Sequence, residues 1–146
     1  MEDDGKARVL IVDDTLSNFL SVQAVMERFG VACSYSQSGH GAIKIVRERN
    51  RRGAKVFDLI LMDFQMPGLS GPDTTVQIRR LLGQEVVRLP FLHKERPLIC
   101  GMTALSHQEV FSLATEKGMD ELMLKPLYES SFKRVLSKVG IPTALP

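Results

Sequence analysis

The stretch "LILMDFQMPGLSG" at residues 59–71 decides the fold. Four apolar residues lead directly to Asp63, and a turn-prone Pro67-Gly68 pair and a second glycine, Gly71, follow. A short apolar run bounded by turn residues is typical of a buried strand. A carboxylate at such a place is costly unless it is paired, hydrogen-bonded or bound to a cation. Asp63 therefore indicates a functional site at the end of this strand.

Strand-like and helix-like stretches alternate along the rest of the chain. The strand-like runs are residues 8–12, 32–36, 58–62, 98–102 and 121–124. Apolar residues at helical spacing lie between them, and a glycine that can end each helix follows: Gly30, Gly53, Gly83, Gly118 and Gly140. Five such βα units predict an α/β fold with a parallel sheet buried between helices. The first, third and fourth runs are almost wholly apolar and are expected at the centre of the sheet, with the mixed second run at an edge.

Composition indicates one globular domain. The chain has 146 residues, 44% of them apolar, with 19 basic and 17 acidic residues. This near balance of charge gives no electrostatic case for binding nucleic acid or a membrane surface. No apolar run approaches the roughly 18 residues of a membrane span, and the acidic start does not resemble a secretion signal. Cys33 and Cys100 are interpreted as buried thiols of a reducing compartment.

Two segments outside the regular pattern are open to more than one interpretation. The link at residues 83–97 is too apolar for a simple disordered linker, and we expect an extra helical turn, a partner-facing loop, or both. The charged stretch "RERNRRG" at residues 47–53 lies at the end of the second predicted helix. Cations complement the helix dipole there, so we interpret it as a solvated helix end rather than a ligand site.

Polar side chains stand where the predicted strands end: Asp13 and Asp14, then Asp63, Thr103 and Lys125. In open parallel sheets, ligands bind beyond the carboxyl ends of the strands. Each residue alone has a simpler explanation, such as a helix cap, a turn cap, a β-branched strand end or a surface lysine. Their occurrence at four strand ends together favours a common crevice.

The residue types in this crevice favour phosphoryl chemistry. Three crowded carboxylates would repel one another unless a cation lies among them. Oxygen ligands suit Mg²⁺, whereas zinc would call for histidine or cysteine. A lysine and a hydroxyl match the needs of a transferred phosphoryl group, and an aspartate can itself become an aspartyl phosphate. Asp63 is therefore interpreted as the group that accepts phosphate.

The motifs "VLIVDD", "DLILMDFQMPGLSG", "MTA" and "LKP", in this order at the strand ends, resemble the receiver domains of two-component response regulators. The resemblance covers about residues 7–139, and "MDFQMP" with "GMDELMLKP" is most similar to receivers of hybrid histidine kinases. It implies a flavodoxin-like (βα)5 three-layer sandwich with sheet order 2-1-3-4-5. It also implies a single receiver domain over residues 1–146.

The same resemblance implies a role for each crevice residue. Asp63 would take a phosphoryl group from a phosphohistidine, and Thr103 and Lys125 would hold its oxygens. The implied ligands of Mg²⁺ are Asp14, Asp63 and the backbone carbonyl of Gln65, with Asp13 acting mainly through water. The Lys125–Pro126 bond would be cis.

The resemblance also implies partners and location. The phosphodonor would be a histidine kinase or a histidine phosphotransfer domain in a phosphorelay, and the domain would catalyse only its own phosphorylation and dephosphorylation. We expect a cytoplasmic monomer that contacts neither nucleic acid nor membrane. It would act alone or as the cytosolic part of a membrane-attached hybrid kinase.

One departure from the family pattern and three alternatives bear on this interpretation. Leu122 stands where many receivers have an aromatic residue or histidine, so the chain lacks the side chain of the usual threonine–aromatic switch. A haloacid-dehalogenase-type hydrolase would need a second aspartate where the chain has Gln65, and a nucleotide-binding domain would need glycines in "DDTLSN". A degenerate receiver that serves only for docking would commonly lack an acid or the lysine, and both are kept here.

Overall fold

Five strands alternate with five helices in the structure, a computed structural model that describes residues 5–84 and 96–143. The strands are β1 (Val9–Val12), β2 (Cys33–Ser36), β3 (Leu59–Asp63), β4 (Leu98–Thr103) and β5 (Glu121–Leu124). The helices are α1 (Leu16–Arg28), α2 (Gly39–Arg51), α3 (Gly71–Leu81), α4 (Gln108–Glu116) and α5 (Glu129–Lys138). Each predicted strand agrees with the observed one to within one residue at either end.

The strands form one parallel sheet in the order β2-β1-β3-β4-β5, as expected. Strands β1, β3 and β4 are buried along their whole length, whereas β2 and β5 are partly exposed at the edges. This agrees with the prediction that the most apolar runs lie at the centre. Because all strands are parallel, their carboxyl ends meet at one edge of the sheet.

The core lies in two layers, one on each face of the sheet. One layer joins residues of β1 and β3 to α1 and α5, among them Val9, Ile11, Phe19, Met26 and Val135. The other joins the alternate strand residues to α2, α3 and α4, among them Leu10, Ile60, Val46, Ile78 and Ala114. Successive side chains of a strand point to opposite faces, so a strand covered on both faces is apolar throughout. The predicted three-layer sandwich is confirmed.

Glycine ends each helix as the sequence predicts. Gly30, Gly53, Gly83, Gly118 and Gly140 all have positive φ, between 67° and 100°. This is the left-handed region, where any other residue would strain the backbone.

The charged helix end at residues 47–53 differs from its predicted character at one position. Most of its side chains are exposed, but Arg49 is 1% exposed and is among the largest fully buried side chains. Its guanidinium lies 3.6 Å above the ring of Phe57, and Nη1 donates to the carbonyl oxygens of Ala7 at 2.7 Å and Lys55 at 3.3 Å. The interpretation as a solvated end is therefore wrong for Arg49, which joins α2 to the start of β1.

Replacing Arg49 by alanine should lower the free energy of unfolding by about 2–4 kcal/mol, because buried carbonyls lose a charged donor and Phe57 loses a stacked group. Arg47 lies two residues earlier on the same helix and is exposed. The matched variant Arg47→Ala should change the free energy by less than about 0.5 kcal/mol. Urea denaturation of both variants measures the difference. Equal effects would contradict a structural role for Arg49.

Three further expectations concern the link, the cysteines and membrane spans. Residues 85–95 of the 83–97 link lie outside the described residues. Cys33 and Cys100 are free thiols, Cys100 fully buried and Cys33 only partly so, and burial raises the pKa of each thiol to about 12. Among the helices of residues 5–84 and 96–143, none has the length and apolar character needed to span a bilayer.

Candidate functional site

The carboxyl ends of β1, β3, β4 and β5 bring together the residues that the sequence singles out. We call this place the carboxylate crevice and define it by Asp13, Asp14, Asp63, Thr103 and Lys125. One carboxylate oxygen of each aspartate lies within 4.8 Å of the other two. Asp13, Asp63 and Thr103 are buried, whereas Asp14 is exposed. The predicted convergence of distant strand ends is therefore present in the structure.

Local hydrogen bonds hold Asp13 at the end of β1. The backbone N–H of Thr15 donates to Asp13 Oδ1 at 2.9 Å, and the Asp13 N–H donates to the carbonyl of Ser36 at 3.1 Å. The first bond closes an Asx turn from Asp13 to Thr15, the N-cap residue of α1. Asp13 thus orders the start of α1 and also presents its carboxylate to the crevice.

Lys125 reaches the crevice from the edge strand. Its Nζ lies 3.2 Å from Asp63 Oδ1, and its backbone N–H donates to the carbonyl of Thr103 at 2.7 Å. The Lys125–Pro126 peptide bond is cis, as the family resemblance implies. The Thr103 hydroxyl accepts from the N–H of Leu105 at 3.0 Å, which turns the chain after β4. Lys125 is therefore a crevice residue and not an ordinary surface lysine.

The position of Gln65 follows from the turn after β3. The N–H of Phe64 donates to the carbonyl of Met102 at 2.9 Å, and the N–H of Gly71 donates to the carbonyl of Phe64 at 3.0 Å. These bonds hold the chain beside the strand ends while the Gln65 side chain is exposed. Gln65 therefore lies two residues beyond Asp63, in the turn between β3 and α3.

Crowding in a buried place disfavours the charged forms of two carboxyl groups. Burial raises the pKa of Asp63, and the charge of Asp13 raises it further, while the hydrogen bond and charge of Lys125 act in the opposite direction. Burial also raises the pKa of Asp13, against the hydrogen bond from Thr15. One lysine does not offset three carboxylates. The crevice therefore has the electrostatics of a cation site, and Asp13, Asp14 and Asp63 are the side chains that could hold the ion.

In the absence of divalent cations, Asp13→Asn should raise the free energy of unfolding at neutral pH by about 1 kcal/mol, because it removes one of three like charges at close range. Asparagine keeps the oxygen that accepts from Thr15, so the turn is preserved. Added Mg²⁺ should stabilise the wild-type protein more than this variant. Urea denaturation with and without Mg²⁺ tests both statements, with the exposed Asp73→Asn as control. A destabilised Asp13→Asn protein would contradict repulsion in the crevice.

Two residues that support the crevice are not evident from the sequence. The Tyr35 hydroxyl donates to the carbonyl of Asp13 at 3.0 Å, and its ring stacks on Phe19 with 3.6 Å between centroids. At Gly71 a Cβ atom would lie 2.3 Å from the carbonyl oxygen of Asp63, so only glycine lets α3 begin against the end of β3. In the sequence, a lone tyrosine in the mixed run at residues 32–36 indicates the supporting role of Tyr35 only weakly. The glycine that follows Pro67-Gly68 likewise indicates the close approach of α3 to β3 at Gly71 only weakly.

The fold and the crevice are those of a signalling domain of two-component systems. The chain belongs to the response regulator receiver domain family, which matches residues 9–137. Among curated relatives, the sensor protein GacS of Pseudomonas syringae pv. syringae is 30% identical over 131 residues, which are 90% of this chain and 13% of GacS. The virulence sensor protein BvgS of Bordetella pertussis is 27% identical over 139 residues, or 95% of this chain and 10% of BvgS. The chain thus spans about an eighth or less of these two sensor proteins.

Solved structures show the same fold. The receiver domain of the histidine kinase CKI1 from Arabidopsis thaliana, complexed with Mg²⁺, has a TM-score of 0.72 and 26% identity, and the match covers 91% of each chain. The chemotaxis protein CheY4 of Vibrio cholerae also has a TM-score of 0.72, at 21% identity over 91% of this chain and 98% of that chain. The expected flavodoxin-like architecture and the resemblance to receivers of sensor kinases are confirmed.

Proposed function

We propose that this chain is the phosphoacceptor of a two-component phosphorelay and takes a phosphoryl group onto Asp63. The observation that carries the proposal is the crevice itself. Three carboxylates lie within 4.8 Å of one another at the strand ends, and the Lys125 ammonium lies 3.2 Å from Asp63. A nucleophile, a cation site and a positive group for phosphoryl oxygens are thus within reach of one another.

The ligand chemistry of the crevice fits Mg²⁺. Asp13, Asp14 and Asp63 offer hard oxygen atoms, and the proposed set adds the backbone carbonyl of Gln65, with Asp13 acting mainly through water. The Mg²⁺ complex of the CKI1 receiver domain supports this assignment. When bound, the ion would neutralise charge on the carboxylates and on phosphoryl oxygens. The exposed Asp14 leaves the site open to the solvent and to a donor protein.

In the proposed reaction an oxygen of the Asp63 carboxylate attacks the phosphorus of a phosphohistidine. The new O–P bond forms as the N–P bond breaks, and the histidine nitrogen keeps the electron pair of that bond. Lys125 Nζ moves from pairing with Asp63 to a phosphoryl oxygen, and the Thr103 hydroxyl donates a hydrogen bond to another phosphoryl oxygen. Because these groups already stand at neighbouring strand ends, little reorganisation is needed during transfer.

The donor in this proposal is a histidine kinase or a histidine phosphotransfer domain. Residues 1–146 would form a single domain, a cytoplasmic monomer that acts alone or as part of a longer hybrid kinase. The curated relatives GacS and BvgS, named as sensor proteins, support the hybrid setting. The domain would catalyse only its own phosphorylation and dephosphorylation. Gln65 in place of a second aspartate argues against a haloacid-dehalogenase-type hydrolase.

We expect the conformational change that follows phosphorylation to lie near the crevice. Leu122 is partly buried, and its Cδ1 would lie 2.7 Å from a Cβ atom built on Gly101. A leucine in this position has neither the ring nor the polar tip of the usual switch residue. The proposed consequence is that phosphorylation changes the loops after Asp63 and Thr103 more than the surface of α4, β5 and α5.

Mass spectrometry after incubation with a small phosphodonor and Mg²⁺ tests the proposed function. We expect the gain of one phosphoryl group, which hydroxylamine removes because an acyl phosphate is reactive toward this nucleophile. The same incubation with EDTA should leave the protein unmodified. A folded protein that takes no phosphoryl group from a small donor or from a phosphohistidine protein would overturn the proposal.

A further inference from the structure

A buried cluster of charge lies at the end of the sheet opposite the crevice. We call it the Arg79 node and define it by Arg79, Arg96 and Asp120. Arg79 Nη2 lies 2.5 Å from Asp120 Oδ2, and Arg96 Nη2 lies 2.9 Å from Asp120 Oδ1. The side chains of these three residues are 3%, 9% and 12% exposed. Nothing in the proposed phosphoryl chemistry uses this cluster.

Asp120 joins the start of β5 to the start of β4 in two ways. Its backbone N–H donates to the carbonyl of Ile99 at 2.8 Å, and its Oδ2 accepts from the N–H of Ile99 at 2.9 Å. The carboxylate therefore extends the hydrogen bonding of the β4–β5 pair to the residue before the first residue of β5. A displaced Asp120 would lose this bond and both guanidinium contacts together.

Arg79, a residue of α3, connects Asp120 to that helix and to the turn before β5. Its Nε donates to the carbonyl of Gly118 at 3.1 Å, and its Nη1 donates to the carbonyl of Pro97 at 2.8 Å. Burial lowers the pKa of Arg79 to about 10, against the charge of Asp120, so the group is still a cation at neutral pH. A buried ion pair adds little net stability compared with apolar packing but can specify one arrangement. Here the ion pair between Arg79 and Asp120 would fix the position of β5, which begins at the residue after Asp120.

Strand β5 needs such a specification. It has four residues, lies at the edge of the sheet and is only partly buried. Register is weakly specified in short, partly polar edge strands, and a slip of one residue turns every side chain to the other face. Lys125 directly follows β5, so the same slip would move its ammonium by about 3 Å along the strand. The contact between Lys125 and Asp63 depends on this register.

We propose that Arg79 and Asp120 are positioning residues for Lys125, because the node holds the register of β5 from the end of the strand opposite the crevice. The inference rests on the proposed function, in which Lys125 binds a phosphoryl oxygen. It assigns a role in phosphorylation to two side chains that lie outside the crevice. Arg79 and Asp120 do not themselves touch the phosphoryl group.

A double-mutant cycle tests whether Asp120 acts through Lys125. Asp120→Ala should slow phosphorylation by a small phosphodonor by about 100-fold, the order that a misplacement of about 1 Å can cost. In a Lys125→Ala background the same change should slow phosphorylation by less than about twofold, since the displaced group is already absent. An equal slowing in both backgrounds would overturn the proposal. Asp120→Asn, which keeps an acceptor for Ile99, serves if the alanine variant does not fold.

Two further measurements separate positioning from general damage. Mg²⁺ affinity should change by less than about twofold in Asp120→Asn, because the three carboxylates lie at the ends of β1 and β3, away from the node. Amide exchange at Lys125, whose N–H bonds to Thr103, should accelerate in this variant more than exchange at Ile11 in β1. Glu121→Ala is the matched control, since the carboxylate of the neighbouring Glu121 pairs with Arg134 and Lys138 of α5 and does not belong to the node. It should leave phosphorylation and Lys125 exchange near wild-type values.

The exchange measurement distinguishes the two proposals. If the wild-type protein takes no phosphoryl group, the proposed function fails, while faster exchange at Lys125 in Asp120→Asn still shows that the node holds β5. If the wild-type protein is phosphorylated and Lys125 exchange in Asp120→Asn is unchanged, the positioning role fails and the proposed function stands.

Discussion

Asp63→Asn should lower phosphoryl incorporation by more than about 10³-fold, because loss of a covalent nucleophile has effects of this order or larger. Asparagine has nearly the same shape but lacks a nucleophilic carboxylate oxygen. The fold should persist, since the change also removes a buried charge that crowds Asp13. Mass spectrometry after incubation with a phosphodonor and Mg²⁺ measures the loss, and circular dichroism confirms the fold.

The control for this result is Asp73→Asn. Asp73 is an exposed carboxylate in the first turn of α3, outside the crevice, and its Oδ1 lies 3.7 Å from Lys117 Nζ. This variant should incorporate one phosphoryl group at the wild-type rate. Full incorporation by the folded Asp63→Asn protein would show that another group accepts phosphate, and the assignment of Asp63 would be wrong.

Asp14→Ala should weaken Mg²⁺ binding by at least about tenfold, since even changes beyond the direct ligands of a metal cost 10- to 100-fold in affinity. We expect the wild-type protein to bind Mg²⁺ with a dissociation constant of roughly millimolar, as suits a few carboxylates and several waters. Because Asp14 is exposed, its removal should leave the free energy of unfolding in EDTA within about 0.5 kcal/mol of wild type. Isothermal titration at fixed ionic strength measures the affinity.

Two variants sharpen the metal assignment. Glu116→Ala removes an exposed carboxylate of α4 outside the crevice and should not change Mg²⁺ affinity. Lys125→Ala should retain Mg²⁺ binding while phosphorylation slows, because in the proposed reaction Lys125 contacts the phosphoryl group and not the ion. Unchanged affinity in Asp14→Ala would remove Asp14 from the metal site.

Patterns that act over a few residues made most of the fold and the crevice predictable. Apolar runs of four to five residues ended by Asp13, Asp63 and Thr103 predict strands, and the glycine after each helical stretch predicts where the helices stop. The rule that ligands bind at the carboxyl ends of parallel strands then joins residues far apart in sequence. No knowledge of individual contacts was needed for this step.

Burial of charged side chains was not predictable in the same way. Arg49 stands among exposed arginines in "RERNRR", and nothing local to it shows that Ala7 and Phe57 will enclose it. Arg79 likewise has an unremarkable place on α3, yet its partners come from residues 97, 118 and 120. A guanidinium is buried only where carbonyls and a carboxylate converge on it, and those groups belong to other elements.

The sequence by itself determined the class of fold, the order of its elements and the side chains at the strand ends, because periodicity and turn residues are local properties of the chain. The tertiary structure alone decided which of these side chains are held at contact distance and by what. The 3.2 Å contact between Lys125 and Asp63 depends on the register of a four-residue edge strand. Register is a relation between strands, which no pattern along one segment contains, and in β5 it is expressed in the bonds of Asp120 to Ile99 and of Lys125 to Thr103.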